Sequence, residues 1–583
     1  MAAIALVAWF VQGSGQVSAS GNVFGEEGLI EPRIPVLIVG GGPVGLSVAL
    51  ELNFHRIRSV LVEPRTVVSH ARPRAKTTSA RTMELFRRWG VADEIRLRAP
   101  LSPDYSSDIV FCTSVTGREI SRFTGTLGIG IDATGLAAEG GQQVGQHVVE
   151  ETLRDAVVAS EYSTLLLGRR VTAVAEVGQG CVAMLEGGLD RTGQVGCDYL
   201  VGADGAHSVV RSAIGARYEG SPTGRPNLSI VFRTPRLAER IPHGRAVHYW
   251  VLNPATPGVV GPMDPARDIW WAIATGRTAD DAPHAVGIVR SLIGADVDVE
   301  VLGTDPWQAR SLLVDRYRRG RMFLAGDAAH QNPPWGGHGF NTGVGDAVNL
   351  GWKLAAVLNG WAPEAILDSY ETERRPISRQ TIDIAAQNTR TLPSDFQLPA
   401  LMSSGGEFEA ARGLVAERIQ REKRIEFHCL GLVLGYGYGP RAAEQILGES
   451  DYQPIPAPGN RLPHGRLADG SSIFDHLGRE FSVIGSTAHI AALLEAAAAL
   501  GIPTDIADTD ASPYGAEVVL VRPDQHIAWL GAAPKLADAH VILKQALRGF
   551  PTPTTTGPAG TRRSAVTPAS DDQRREKENV SAQ

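Results

Sequence analysis

Cysteine is scarce. The 583 residues contain four, at 112, 181, 197 and 429, too widely spaced for a CxxC pair or a metal-ligand set. That spacing speaks against a dithiol redox motif and implies no metal, and it makes a reducing compartment, the cytoplasm, the default location. Positive charge is not in excess either. The formal net charge is −7, and short basic runs such as "RYRRGR" (316–321) read as solvated turns entering strands, so nucleic acid is not expected as a partner. Apolar runs of membrane-spanning length are missing. The start, "MAAIALVAWFVQGSGQVSAS", has an apolar run of about eleven residues, too short to cross a bilayer and long enough for a signal-peptide core. It lacks the basic residues that precede such a core, so an N-terminal extension (1–33) is the expectation, and no internal repeat follows it.

What is present is a globular composition, 43% hydrophobic and 20% charged, on a chain long enough for two or three domains. The first organised unit is "IPVLIVGGGPVGLSVALELNFHRIRSVLVEP" (34–64), which reads as a buried strand, a glycine turn, a helix and a second strand ending in an acid. Gly40, Gly42 and Gly45 form a GxGxxG. The first suits a tight turn, the second the approach of a pyrophosphate, the third close helix–strand packing. Glu63 stands about twenty residues on, where an acid binds ribose hydroxyls. This pattern predicts dinucleotide binding and leaves FAD and NAD(P) unseparated.

Two further segments bear on that choice. "CDYLVGADGAHSVVRSAIG" (197–215) runs an apolar strand into Asp204-Gly205, with Ser208 and Arg211 opening a helix; alone it is also an ordinary βα turn. "RMFLAGDAAHQNPPWGGHGFNTGVGDAVNLGWKL" (321–354) delivers Asp327 to the C-terminal edge of a strand, where ligands sit in open α/β sheets. Pro333 and Pro334 stiffen the next loop, and Gly336, Gly337 and Gly339 admit a flat ring close to the backbone. A helix is predicted to begin near Gly343 and to present its N-terminus to that ring.

Together these three ordered motifs resemble the FAD-dependent class A aromatic monooxygenases, the family of p-hydroxybenzoate and phenol hydroxylases. The similarity covers roughly 34–390, including "YETERRPISRQ" (370–380), and resumes near the C-terminus. It implies an α/β fold: a Rossmann-like FAD-binding domain with a β-sheet substrate domain and a C-terminal thioredoxin-like domain. It also implies that Gly40, Gly42, Gly45 and Glu63 hold the ADP half of FAD, that Arg74 and Gln146 contact the cofactor, and that Asp204 serves both FAD and NAD(P)H. Asp327 would bind the ribityl chain, and the 333–341 loop, with Pro333, Gly337, Gly339 and Asn341, would border the isoalloxazine. His330 matches the family's GDAAH, as a packed loop histidine or a catalytic one. The implied reaction is hydroxylation of a phenolic or polyketide-derived ring by a flavin C4a-hydroperoxide, with NAD(P)H, NADPH favoured, as reductant and O2 as oxidant. No catalytic base is evident. Lys76 stands where simple phenol hydroxylases carry an acid, which favours the branch acting on larger aromatic polyketides; a solvent-facing side chain is the expectation for it, and phenolate stabilisation the alternative.

The remaining organisation follows. The FAD-binding domain is expected at 34–215 and 311–390 and the substrate domain at 216–310. In the latter, "HYWVLN" and "DIWWAIAT" read as strands whose alternation turns at most half of Tyr249, Trp250, Trp270 and Trp271 towards a ligand. A helical bridge (391–450) precedes a thioredoxin-like domain (451–548) without a CxxC, suited to support or to homodimer contact. The Pro/Thr/Ser-rich 549–583 reads as a disordered tail. WxWxIP and FxGxxxHxxxW are both absent, which disfavours halogenase and Baeyer–Villiger chemistry. The other readings are an FAD oxidoreductase of different chemistry (epoxidase, Baeyer–Villiger-type or oxidase) and a flavin-holding module without turnover.

Overall fold

The computed structural model describes residues 33–70, 75–187, 192–221, 224–439, 451–507 and 509–550. The N-terminal apolar run, Arg74 and all of the expected tail beyond Phe550 lie outside them.

The apolar run Ile34–Val39 forms the centre of an eight-stranded sheet because it can be buried on both faces. It pairs in parallel with Ser59–Glu63 on one side and Thr192–Gly202 on the other. Ser163–Leu167 and Met322–Leu324 extend the parallel set outwards, and the hairpin Arg170–Val177/Gly180–Glu186 joins antiparallel to Thr192–Gly202. The helix Pro43–Phe54 has proline in its first turn and crosses the long helix His338–Leu358. The two approach closely: a Cβ on Gly343 would lie 2.5 Å from Val44, and one on Gly351 would lie 2.5 Å from Glu51. The long helix starts at His338, not near Gly343, because Gly337 takes the left-handed conformation (φ +72°) that turns the chain into it.

A second sheet has seven strands, in the order Glu300–Gln308, Pro226–Arg233, Ile269–Thr275, Gly258–Asp264, His248–Val251, Ile109–Cys112, Glu119–Phe123. Its last two strands come from within the 34–215 segment. Nothing local in "IVFC" tells which sheet it joins; the choice is made by the parallel ladder it forms with His248–Val251. Strand alternation divides the four aromatic residues. Tyr249 and Trp270 pack with the helix Ala285–Ile293, whereas Trp250 and Trp271 share a cluster with Trp335 and the helix Gly406–Phe427.

The C-terminal unit is a four-stranded sheet, Thr504–Ala507, Phe481–Ile484, Val518–Val521 and Ile527–Gly531, with helices Thr487–Leu500 and Leu536–Ala546. The turn between its last two strands, 522–526, is buried against the rest of the chain. Arg522 donates two bonds of 2.8 Å to Glu373, which also accepts from Lys353 (2.7 Å) and Asn349 (2.7 Å). Asp524 accepts from the indole of Trp352 (3.3 Å), and Gln525 accepts from Arg81 (2.6 Å). Each of the buried charges at this turn has an opposite partner, the condition under which charges are tolerated in a protein interior.

Candidate active site

Three adjacent parallel strands end at one place. Ile34–Val39 is followed by Gly40, Thr192–Gly202 by Asp204, and Met322–Leu324 by Asp327, with Ala203 N–H donating to Val39 (2.8 Å) and Ala325 N–H to Gly202 (3.0 Å). The glycine turn is shaped by contact. Gly40 has φ +104° and a Cβ on it would lie 2.4 Å from the Ala203 carbonyl oxygen; one on Gly45 would lie 1.9 Å from that of Gly40. A Cβ on Gly42 would meet nothing within 4 Å. Gly42 precedes a helix whose first turn has no side-chain cap, so backbone amides face that open side as an anion site requires.

The Glu63 carboxylate is engaged at both oxygens. One accepts from Gly41 N–H (2.8 Å), the other from the Arg65 amide (2.9 Å) and guanidinium (2.7 Å). Burial works to raise its pKa, but the Arg65 and Gly41 hydrogen bonds outweigh it and hold the carboxyl below its ordinary value. Arg65 also reaches Glu150 (2.9 Å), in the helix that Gln146 opens. Gln146 itself is held through its amide on the Ala75 carbonyl (2.9 Å), beside the segment that carries Arg74.

Asp204 caps the helix that follows it, its Oδ2 accepting from Val209 N–H at 2.7 Å, while Oδ1 is buried with no protein partner. Burial raises its pKa. The Arg211 guanidinium ties this turn to the next one, donating to Ala206 (2.9 Å), the Tyr218 hydroxyl (2.9 Å) and Ala328 (3.4 Å); Tyr218 in turn donates to the backbone carbonyl of Asp327. The Asp327 side chain is exposed at the sheet edge. Behind it, buried Asp346 accepts from Gly326 N–H (3.1 Å), His330 Nε2 (2.8 Å) and Arg374 Nε (2.8 Å). Burial acts to lower the His330 pKa, but Asp346 overcomes this and raises it. With Nδ1 engaged by Asn332 (3.0 Å), His330 is a packed histidine that braces the turn.

Asn341 fastens the glycine-rich loop. Its amide donates to the Gly337 carbonyl (2.6 Å) and the Thr77 carbonyl (3.0 Å) and accepts from Ser79 N–H (2.9 Å), binding the 333–341 loop to the strand that follows Lys76. Pro333 is buried in the loop, and Gly339 keeps one side clear, where a Cβ would meet only Asn332 at 3.6 Å. Trp335 of this loop packs on an aromatic wall of the second sheet, 5.5 Å from Trp250 and 6.4 Å from Trp307 between ring centroids. Lys76 is half-buried, where its charge suggested an open, solvent-facing side chain. Its Nζ sits 4.2 Å from the Trp271 ring centroid, and His248 meets the same indole edge-on at 5.2 Å. Burial pushes the Lys76 pKa down to about 7; burial, then the Lys76 charge, take His248 to about 3.

The residues present suit FAD. Amides open towards Gly42 fit a diphosphate, the unpartnered Asp204 oxygen and exposed Asp327 fit hydroxyl-bearing chains, and the Asn341-pinned loop against an indole wall fits a flat ring. An FAD binding domain family matches residues 33–385, and the C-terminal domain family of the aromatic-ring hydroxylases matches residues 455–550. The chain belongs to the FAD-dependent aromatic-ring hydroxylases.

Relatives of this hydroxylase span most of its length. The 4-methyl-5-nitrocatechol 5-monooxygenase of a Burkholderia species is 32% identical over 88% of this chain and 97% of its own. The tetracenomycin A2 monooxygenase-dioxygenase of Streptomyces glaucescens is 30% identical over 91% and 99%. Among solved structures, the rebeccamycin biosynthetic enzyme RebC with reduced flavin superimposes with a TM-score of 0.80 at 31% identity, covering 88% of this chain and 99% of that one. Aklavinone-11 hydroxylase, solved with FAD and aklavinone, gives 0.72 at 26% identity over the same shares. Sequence reasoning missed Arg65, Tyr218 and Asp346 in this hydroxylase. A basic residue two positions beyond Glu63 was a signal for the first; the other two act only through tertiary contacts.

Proposed function

We propose that the hydroxylase uses NAD(P)H, with NADPH preferred, and O2 to place one oxygen atom on a phenolic ring, most naturally that of a polyketide-derived aromatic compound in cytoplasmic secondary metabolism. The observation that carries the reading is the wall of Trp250, Trp307 and Trp271 against which Trp335 of the Asn341-pinned loop packs, in a chain similar along most of its length to aromatic monooxygenases. FAD, when bound, supplies two-electron redox chemistry and activation of O2. The chain's own residues do the rest. The amides at Gly42 hold the diphosphate, Asp204 and Asp327 orient the hydroxyl-bearing part, and the Glu63 carboxylate shapes the turn from beneath. The buried indoles exclude water and offer a flat apolar face to the ring that reacts.

The test is turnover under 18O2 with NADPH and a panel of phenolic polyketides and nitrocatechols. Incorporation of a single labelled atom into one compound is expected. NADPH oxidation that yields only peroxide with every compound would point to an oxidase, and a homodimer, part of the same reading, is checked by sedimentation.

A further inference from the structure

Lys76 is an amine with no ion-pair partner among the described residues. Its Nζ lies 4.2 Å from the centre of the Trp271 ring. The titratable group that senses it is His248, on the neighbouring strand His248–Val251, whose buried Nε2 also lacks a hydrogen-bond partner. Two nitrogens with unspent hydrogen-bonding capacity therefore belong to side chains that touch one indole. A half-buried amine without a counter-ion is expensive unless a ligand supplies what is missing.

Its backbone is fixed. The Lys76 carbonyl accepts from Val144 N–H (2.8 Å), Thr77 pairs with Gln143, and the Thr77 carbonyl is held by Asn341, which also holds Gly337. Lys76 is thus one residue from the clip on the glycine-rich loop, and its amine points to the aromatic wall. A ring lying between the two would bring a substituent within its reach.

Resting on the hydroxylase reading above, we propose that Lys76 is the acceptor of the substrate's phenolic proton and then holds the resulting phenolate as an ion pair against Trp271, with His248 as a second donor. In the step, the phenol O–H bond breaks and its electron pair stays on oxygen. The proton forms a new N–H bond at Nζ, so a neutral amine and a phenol become an ammonium and a phenolate. No oxidant or further reactant is consumed. The wild-type amine is suited to this because burial brings its pKa to about 7, close enough to accept a proton near neutral pH. The product pair stays attracted in a site poor in water.

The proposal is tested by the absorbance of bound 4-nitrophenol, which separates phenol from phenolate, on the FAD-loaded wild type, Lys76→Met and Lys76→Arg. The wild type is expected to raise the bound phenolate-to-phenol ratio about tenfold or more over that of the free probe at the same pH. Lys76→Met should lose the gain; Lys76→Arg, which can pair with the anion but cannot accept a proton, should keep the gain while releasing about one more proton per bound probe to a weakly buffered, dye-monitored medium than wild type does, and equal release by the two would overturn the acceptor role. FAD content reports whether each variant is folded. A probe that titrates alike in wild type and Lys76→Met, or binds neither, overturns the proposal. NADPH bleaching with the substrate panel separates the two readings: bleaching accelerated equally in wild type and Lys76→Met leaves the hydroxylase reading standing without Lys76, and bleaching accelerated by no phenol sinks that reading itself.

Discussion

At the scale of single residues, the site separates positions that the fold needs from positions that the ligand needs. Gly45 belongs to the first kind, because a Cβ there would lie 1.9 Å from the Gly40 oxygen. Gly45→Ala is expected to lower the melting temperature of the FAD-free protein, at a cost of about 1–3 kcal/mol for overpacking. Gly42 belongs to the second kind, with open space where its Cβ would stand. Gly42→Ala should leave FAD-free stability unchanged and weaken FAD binding about tenfold or more, roughly 1.4 kcal/mol; equal losses of stability in the two variants would show that the open side is not where the cofactor approaches. Lys76 carries a pH signature of its own. Its folded pKa of about 7 lies below its ordinary 10.5, so between those values the unfolded chain binds more protons and wild-type stability rises with pH. Lys76→Met removes that slope. Its gain in melting temperature over wild type should be largest at pH 7 and should shrink towards pH 10.

At the scale of elements, the turn 522–526 is the structural key to the C-terminal unit. Arg522 is spent on Glu373 and Asp524, and Asp524 on Trp352 and Asn349, so one five-residue turn touches two helices of the FAD-binding region. Arg522→Ala leaves the Glu373 and Asp524 carboxylates short of a buried partner and is expected to cost about 3–5 kcal/mol of stability. Differential scanning calorimetry should then show a lower transition, and an unchanged transition would mean the turn is not a structural contact in solution. This scale is also where the sequence stops being legible. The βαβ unit, the DG turn and the GD turn can be read because each is a local run of strand, turn and helix. Strands Ile109–Cys112 and Glu119–Phe123 cannot be assigned to the seven-stranded sheet, because their partner His248–Val251 is far away in the chain. The burial of Lys76 is hidden for the same reason: Trp271 and His248, which enclose it, are brought near only by the assembled sheet.

At the scale of the whole molecule, two sheets meet at one site. The parallel sheet supplies Gly42, Asp204 and Asp327 at the ends of its strands, and the mixed sheet supplies the indoles and His248. Among the described residues no helix is long and apolar enough to cross a membrane, and the four cysteines are free and buried. Asn341 pins the glycine-rich loop to the Thr77–Ser79 segment beside Lys76, and Trp335 of that loop packs with Trp250 of the mixed sheet. We propose that this geometry carries NAD(P)H-driven flavin chemistry on an aromatic ring. The most direct measurement is anaerobic bleaching of the purified protein's flavin absorbance by NADPH, with and without each member of a panel of phenolic polyketides. The expected result is a flavin band that NADPH bleaches, faster in the presence of at least one compound. A flavin band that NADPH bleaches under none of these conditions, or a purified protein that binds no flavin, would contradict the claim.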